Sequence, residues 1–264
     1  MIYDIYRMKI TILGSGTSVP HPKRSGSAYW VETENGSMLI DCAPSAIHRM
    51  AEEGLDWANL DTIWISHLHL DHAGGLAPFL FGMKYAPQTQ RRTKPLNIFG
   101  AKGLGNWFRQ IDDAGNYRLL EQPFPIELVE VEPLKEFPIC DGLTAVSFDT
   151  PHTPESRAIH LRDTSGKTLV FSADTGFTKT LGSFAKNVDL FLLECSFVRD
   201  KPVDGHLQLD EAIYLARYSG ARTTVLTHLY PEWDEVDFEE EVARLAEGTN
   251  IVQAFDGMTL TIDH

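Results

Sequence analysis

Cysteine is scarce: Cys42, Cys140 and Cys195 are the only three in 264 residues. Isolated thiols in odd number make neither a disulfide framework nor a CxxC site. They suit a reducing cytoplasm. Long apolar runs are also missing, and none nears the roughly 20 residues a membrane helix needs. The opening MIYDIYRMKITILG lacks the basic start, apolar stretch and small-residue cleavage site of a secretory signal. Met8, where the first strand pattern begins, is an alternative start to Met1. Basic residues are outnumbered, 23 Lys and Arg against 37 Asp and Glu, for a formal charge of −14. Such a surface repels phosphate backbones and disfavours long nucleic acid as a partner. A small anionic substrate stays allowed, because a bound cation reverses the local field. No Pro/Ser/Gly-rich tract, charge run or repeat divides the chain, so residues 1–264 read as one domain.

What is present is a series of apolar strands that stop at polar residues. MKITILG alternates and ends in glycine. SAYWVET and SMLIDC flank the turn Glu34-Asn35-Gly36, a hairpin signal. PSAIHRMAEEG reads as a helix closed by Gly54. DTIWIS, PLNIFG, IELVEVEP, GLTAVSFDT, RAIHLRD, KTLVFSAD, VDLFLLEC and TTVLTH read as strands. LAPFLFGMKYA, AKGLGNWFRQI, QLDEAIYLARYS and FEEEVARLAEG read as helices. NIVQAF and MTLTID are expected to close the chain as a hairpin around Asp256-Gly257. Paired strands with helices between them predict two mixed sheets packed together and covered by helices.

Leu13-Gly14-Ser15-Gly16-Thr17-Ser18-Val19 begins like a dinucleotide fingerprint. It has Val19 where the third glycine belongs, and Pro20 and Pro22 oppose the helix that should follow. These glycines are expected to make a tight turn lining a pocket. Lys84, Arg91, Arg92 and Lys94 form the one basic cluster. It reads as a solvated loop, with a phosphate-steering rim as the alternative.

The histidines carry the chemistry. His67, His69, Asp71 and His72 follow directly on the buried strand DTIWIS. Other strands run into His152, Asp174, Glu194 and His228. Loops at strand ends let a rigid sheet aim side chains at a shared point. A metal is the economical reason to gather neutral imidazoles with carboxylates; this donor set suits Zn²⁺, and also Fe or Mn. In an extended turn His67 and His69 point to one side and can grip one ion. Asp71 and His72 then face a neighbouring ion, and the two oxygens of Asp174 allow it to bridge.

The run His67-Leu68-His69-Leu70-Asp71-His72, with a later His, Asp and His, resembles the metallo-β-lactamase superfamily over nearly the whole chain. The resemblance implies a four-layer αββα sandwich with a two-metal site at one sheet edge. Metal one would take His67, His69, His152 and Asp174; metal two would take Asp71, His72, Asp174 and His228. The remaining histidines, His21, His48, His160 and His264, match no motif and read as structural or surface residues.

LGSGTSVP with Arg24, the stretch Ser172-Ala173-Asp174-Thr175, and His206 in GHLQLDEA resemble the ribonuclease Z-like phosphodiesterase branch. In that branch a histidine at the place of His206 sits near the leaving group. Glu194 is a candidate to orient it, and Leu207 departs from the small hydroxyl residue usual there. The resemblance implies a water activated between two divalent ions and aligned by Asp71, with His206 protonating the leaving oxygen. The tRNA-processing members carry a long insertion between the third histidine ligand and the bridging aspartate. Here only RAIHLRDTSGKTLVFSA fills that interval. The expected function is therefore hydrolysis of a small or cyclic phosphodiester. Lactone or thioester hydrolysis is the alternative, followed by tRNA 3′ processing or a non-catalytic metal-binding protein. Relatives suggest a homodimer.

Overall fold

We describe a computed structural model of the chain, covering residues 8–246 and 248–263. The choice between Met1 and Met8 and the reading of His264 lie outside the described residues. The first sheet holds β1 (Met8–Gly14), β2 (Ala28–Glu32), β3 (Ser37–Ile40), β4 (Thr62–Ile65), β5 (Leu96–Gly100), β6 (Ile126–Glu130) and the last strand, β14 (Thr259–Ile262). The second holds β7 (Glu136–Cys140), β8 (Leu143–Asp149), β9 (Arg157–Asp163), β10 (Thr168–Phe171), β11 (Leu190–Glu194), β12 (Thr223–Thr227) and β13 (Ile251–Gln253). Their spatial orders are 14-1-2-3-4-5-6 and 13-12-11-10-9-8-7. Each sheet is antiparallel on one side and parallel on the other, with the change at β3 in the first and β10 in the second.

Strand alternation divides the apolar residues among three cores. Ile10, Ile12, Trp64, Leu190 and Leu192 meet between the sheets. Leu13, Ile63 and Ile65 face outward under α1 (Ala46–Glu52), α3 (Leu76–Tyr85) and α4 (Leu104–Gly115). Phe191, Leu193 and Leu226 face outward under α5 (Lys179–Phe184), α6 (Leu209–Ser219) and α7 (Phe238–Ala243). A one-turn helix, α2 (Leu70–Ala73), carries part of the histidine motif. The result is the expected αββα sandwich. Leu190, Phe191, Leu192 and Leu193 form an unbroken apolar run because β11 is buried on both faces. In α6, Leu209, Ala212, Ile213 and Ala216 recur at helical spacing on the buried side, and Gly220 ends the helix in the left-handed conformation.

The chain end departs from expectation. NIVQAF and MTLTID do not pair with each other: β13 joins β12 in the second sheet and β14 joins β1 in the first. The Asp256-Gly257 turn is a crossover between the sheets. Asp256 fastens it by accepting from the Ser15 and Ser25 amides at 2.9 and 2.7 Å. Alternation reports which face a strand buries, not which neighbour it takes, so the pairing was not legible. The strand β7 was also missed, because Pro138 interrupts its pattern; proline is tolerated there on a sheet edge.

The basic cluster is a solvated loop only in part. Arg92 is buried and donates to the carbonyls of Ala58, Leu60, Lys94 and Pro95 at 2.7–2.8 Å. Lys94 pairs with Asp61, and Lys84 donates to the Arg118 carbonyl. Arg91 and Lys94 are the exposed loop cations of the four.

The glycines of GSG serve close packing. A Cβ on Gly14 would fall 1.8 Å from the Gly26 carbonyl oxygen, and one on Gly16 2.7 Å from Arg24 Cβ. Gly82, by contrast, is exposed within α3 with nothing near its missing Cβ. Gly14→Ala is expected to lower stability by about 1–3 kcal/mol through overpacking. Gly82→Ala is expected to raise it by about 0.5–1 kcal/mol. Urea unfolding of both variants checks the pair; equal effects would contradict the packing assigned to the loop.

Candidate metal centre

All the chemistry-bearing residues named from the sequence arrive at one end of the sandwich. His67, His69, Asp71 and His72 follow β4, His152 follows β8, Asp174 follows β10, Glu194 ends β11 and His228 follows β12. Reaching this point bends the backbone into the left-handed region at Asp41 (φ 58°), Ala173 (φ 54°) and His228 (φ 58°). Such conformations cost on the order of 1–3 kcal/mol each in side-chain-bearing residues and cluster at functional sites.

Asp174 lies between two sets of imidazoles. Its Oδ2 is 3.6 Å from His67 Nε2 and 3.7 Å from His152 Nε2. Its Oδ1 is 3.3 Å from His72 Nε2 and 3.4 Å from His228 Nε2. His69 Nδ1 lies 3.1 Å from His152 Nε2, and Asp71 Oδ2 lies 3.5 Å from His228 Nε2. Three compact groups result: His67, His69, His152 and Asp174; beside it Asp71, His72 and His228; and, sharing members with both, Asp174, His206 and His228.

The tautomers follow from the outer hydrogen bonds. Asp41 accepts from Ser66 N and Ser66 Oγ, and His72 Nδ1–H donates to it at 2.6 Å. Ser66 Oγ gives its proton to Asp41 and therefore accepts from His67 Nδ1–H at 3.1 Å. His152 Nδ1–H donates to the Gly205 carbonyl at 2.8 Å. Ser196 Oγ donates to Glu194 and accepts from His228 Nδ1–H at 3.0 Å. Each of these rings then aims Nε2 at the centre. A ligating histidine is held in this way, with its other nitrogen tied to a carboxylate, carbonyl or hydroxyl.

This arrangement fits a cation. With their Nδ1 protons committed, His72 and His228 face each other through Nε2 at 3.3 Å. Two lone pairs repel at that distance unless a positive charge lies near. His67 Nε2 and Asp174 Oδ1 are fully buried and have no hydrogen-bond partner. Leaving such atoms unsatisfied costs about 1–3 kcal/mol each. The protonation states agree. Burial, reinforced by the neighbouring imidazoles, pushes His67 down to about 2, so it is a neutral donor. Burial opposes ionisation of Asp174, but the charges of His228 and His72 outweigh it and hold the carboxyl well below its ordinary range. Asp71 is held down in the same way, chiefly by His228. Burial would discharge His72, yet Asp174 and Asp41 keep a proton on it. A positive charge is thus favoured even where only a proton supplies it.

His206 sits against the same cluster. Its ring centroid is 4.8 Å from that of His152 and 5.4 Å from that of His228, and its Nδ1–H donates to Glu194 Oε1 at 2.9 Å. Glu194 is buried and accepts five bonds, the others coming from Thr175 N, Ser196 N, Ser196 Oγ and Leu207 N. Burial lowers the imidazole's pKa, but the Glu194 hydrogen bond and charge more than offset this and raise it to about 9. Leu207, the departure noted in the sequence, keeps its backbone donor on Glu194 and packs its side chain into the second-sheet core.

Asp41, Ser66 and Ser196 were missed. The signal for Asp41 was present: it stops the buried strand SMLI as the other site residues stop theirs. The two serines act on rings adjacent in space, which spacing in the chain does not reveal. Of the unassigned histidines, His48 is exposed and pairs with Glu52, His160 packs edge-on to Phe184, and His21 bonds Asp234. No helix among the described residues is long and apolar enough to cross a membrane.

Comparison with known proteins agrees with this geometry. The ribonuclease Z of Archaeoglobus fulgidus is 25% identical, with 97% of this chain and 98% of that protein aligned. The probable metallo-hydrolase YhfI of Bacillus subtilis is 25% identical over 84% of this chain and 87% of its own. The crystal structure of YhfI, described as a metallo-β-lactamase fold protein, superposes with a TM-score of 0.81 over 97% of this chain and all of that one. Human tRNase Z, short form, shares the fold with a TM-score of 0.79 at 21% identity, over 97% of this chain and all of its own. The family profile of the Anti-Pycsar protein Apyc1 matches residues 8–252. The chain belongs to the Anti-Pycsar protein Apyc1 family, metallo-hydrolases within the ribonuclease Z-like branch of the metallo-β-lactamase superfamily.

Proposed function

We propose that this chain is a dinuclear metal-dependent phosphodiesterase acting on a small or cyclic phosphodiester, with Zn²⁺ the best match to the donor set. The observation that carries the reading is Asp174, whose two oxygens face two separate imidazole groups beside the Glu194–His206 pair. One ion would be held by His67, His69, His152 and Asp174, the other by Asp71, His72, Asp174 and His228. Bound there, the cations would supply Lewis acidity, neutralising charge on the phosphoryl oxygens and making water more acidic. Asp71 has the remaining task of aligning the attacking water. His206 holds a proton at the imidazole and Glu194 fixes the ring. As the bond from phosphorus to the leaving oxygen breaks, that proton passes to the oxygen, which suits a poor leaving group such as an alkoxide.

A small substrate is favoured for two reasons. The formal charge of −14 opposes a long polyanion. Between His152 and Asp174 the chain contains only β9 and β10, joined by a short turn, where an arm for tRNA would project.

His206→Ala is expected to reduce kcat on an alkyl phosphodiester roughly 10²–10⁴-fold, the usual worth of a general acid. On bis(p-nitrophenyl) phosphate, whose leaving group needs no proton, the loss is expected to stay below about tenfold. Equal losses on both substrates would remove the role given to His206. Turnover of a lactone or thioester with none of either diester would move the site to carboxylic ester chemistry. Asp41→Asn is expected to weaken zinc binding about 10–100-fold by loosening His72; competition with a chelating dye measures it, and unchanged affinity would contradict the positioning role.

A further inference from the structure

Glu194 fixes the His206 ring, and a separate set of contacts fixes the backbone beneath it. Residues 197–208 leave β11 and return to α6 as a closed loop. The Phe197 amide donates to the Leu207 carbonyl at 3.1 Å, and a parallel bridge joins Phe197 to Gln208, so the two ends are pinned together. On the returning leg three peptide groups around His206 are held. The Gly205 carbonyl accepts from His152 at 2.8 Å, and the Leu207 amide donates to Glu194 at 3.2 Å. Between them, the His206 carbonyl accepts from the Lys201 ammonium at 3.0 Å.

The loop's own turn brings Lys201 to this place. Asp200 adopts the left-handed conformation (φ 51°), and of residues 199–204 only Lys201 is turned inward while the others are exposed. Its ammonium also meets both oxygens of Glu211 at 2.9 and 2.8 Å, in a pair whose side chains are 15% and 22% exposed. Glu211 lies in the first turn of α6 and accepts the Gln208 amide at 3.1 Å. That helix cap does not need the lysine. What the ammonium adds is a tie from α6 to the His206 carbonyl, made with a charged donor and therefore stronger than a neutral bond.

We propose that Lys201 is the positioning residue of the proton donor: it ties the His206 peptide to α6 and so holds the imidazole against the leaving oxygen. The inference rests on the phosphodiesterase reading. Glu194 sets the direction of the ring, but the ring still moves with its backbone. A displacement of about 1 Å can cost on the order of 10²-fold in rate. Proton transfer is the step that loses, because the donor must stay within hydrogen-bond reach of the oxygen it serves.

The test uses the full chain loaded with zinc, with metal content and melting temperature measured for every variant. Lys201→Met keeps the apolar stem and removes the ammonium. It is expected to lower kcat on an alkyl phosphodiester roughly tenfold or more, and on bis(p-nitrophenyl) phosphate less than about threefold. Lys201→Arg keeps the charge and the donors and is expected to recover most of the alkyl diester rate. A lysine that only supports the fold would lower both rates together. His206→Ala is measured alongside. If His206→Ala separates the two diesters and Lys201→Met does not, the proposal is overturned and the phosphodiesterase reading stands. If His206→Ala does not separate them, the acid role is removed and this inference with it. If the unaltered protein hydrolyses neither diester, the phosphodiesterase reading itself is overturned. Should Lys201→Met fail to fold, Lys201→Gln, which shortens and discharges the side chain, is judged by the same ratio of rates.

Discussion

The Asp174 carboxylate, buried between two sets of imidazoles, is the constraint from which the rest of the site follows. A carboxylate in that position is costly unless positive charge lies close on both sides. The imidazoles supply it unevenly, because their inner nitrogens approach one another at 3.1 and 3.3 Å and each such pair has room for at most one proton. Burial and Asp174 therefore pull in opposite directions on these rings, and His67 ends neutral while His72 ends charged. Divalent cations bound there, as proposed, would resolve the conflict for every member at once. The outer layer of Asp41, Ser66, Gly205 and Ser196 occupies Nδ1 of His67, His72, His152 and His228 and aims each Nε2 at the centre, while His69 turns Nδ1 inward.

The sandwich provides the rigidity this needs. The proposed ligands lie past strand ends on both sheets, near the point in each where antiparallel pairing gives way to parallel. Crevices at such points collect the ends of several strands without blocking them. The strained backbone at Ala173 and His228 shows that the fold tolerates local cost to aim the two residues on either side of the centre. Stability is drawn from three apolar cores, including the large buried rings Trp30, Trp64 and Trp233.

Much of this was legible in the sequence because strand-end chemistry is local. DTIWIS into His67 and TLVFSA into Asp174 each put an apolar strand and its polar terminus in a single window. Relations between distant segments were not legible. The pairing of β13 and β14 with different sheets depends on edges built by residues elsewhere in the chain. Arg92 looked solvated because two of its four carbonyl partners, Ala58 and Leu60, belong to a distant segment that only the fold brings near. Asp41 was hidden in plain view: a charged residue closing an apolar strand was read as the end of a hairpin rather than as the anchor of His72.

The central claim is that the Asp174 centre is built for cations, and metal content tests it most directly. Protein purified without chelator and offered zinc, manganese and iron in turn is expected to retain about two equivalents of one of them by elemental analysis, with a higher melting temperature than the stripped protein. Asp174→Asn is expected to lose at least one equivalent. Protein that holds no cation under any of these conditions, and melts at the same temperature with and without them, would contradict the account.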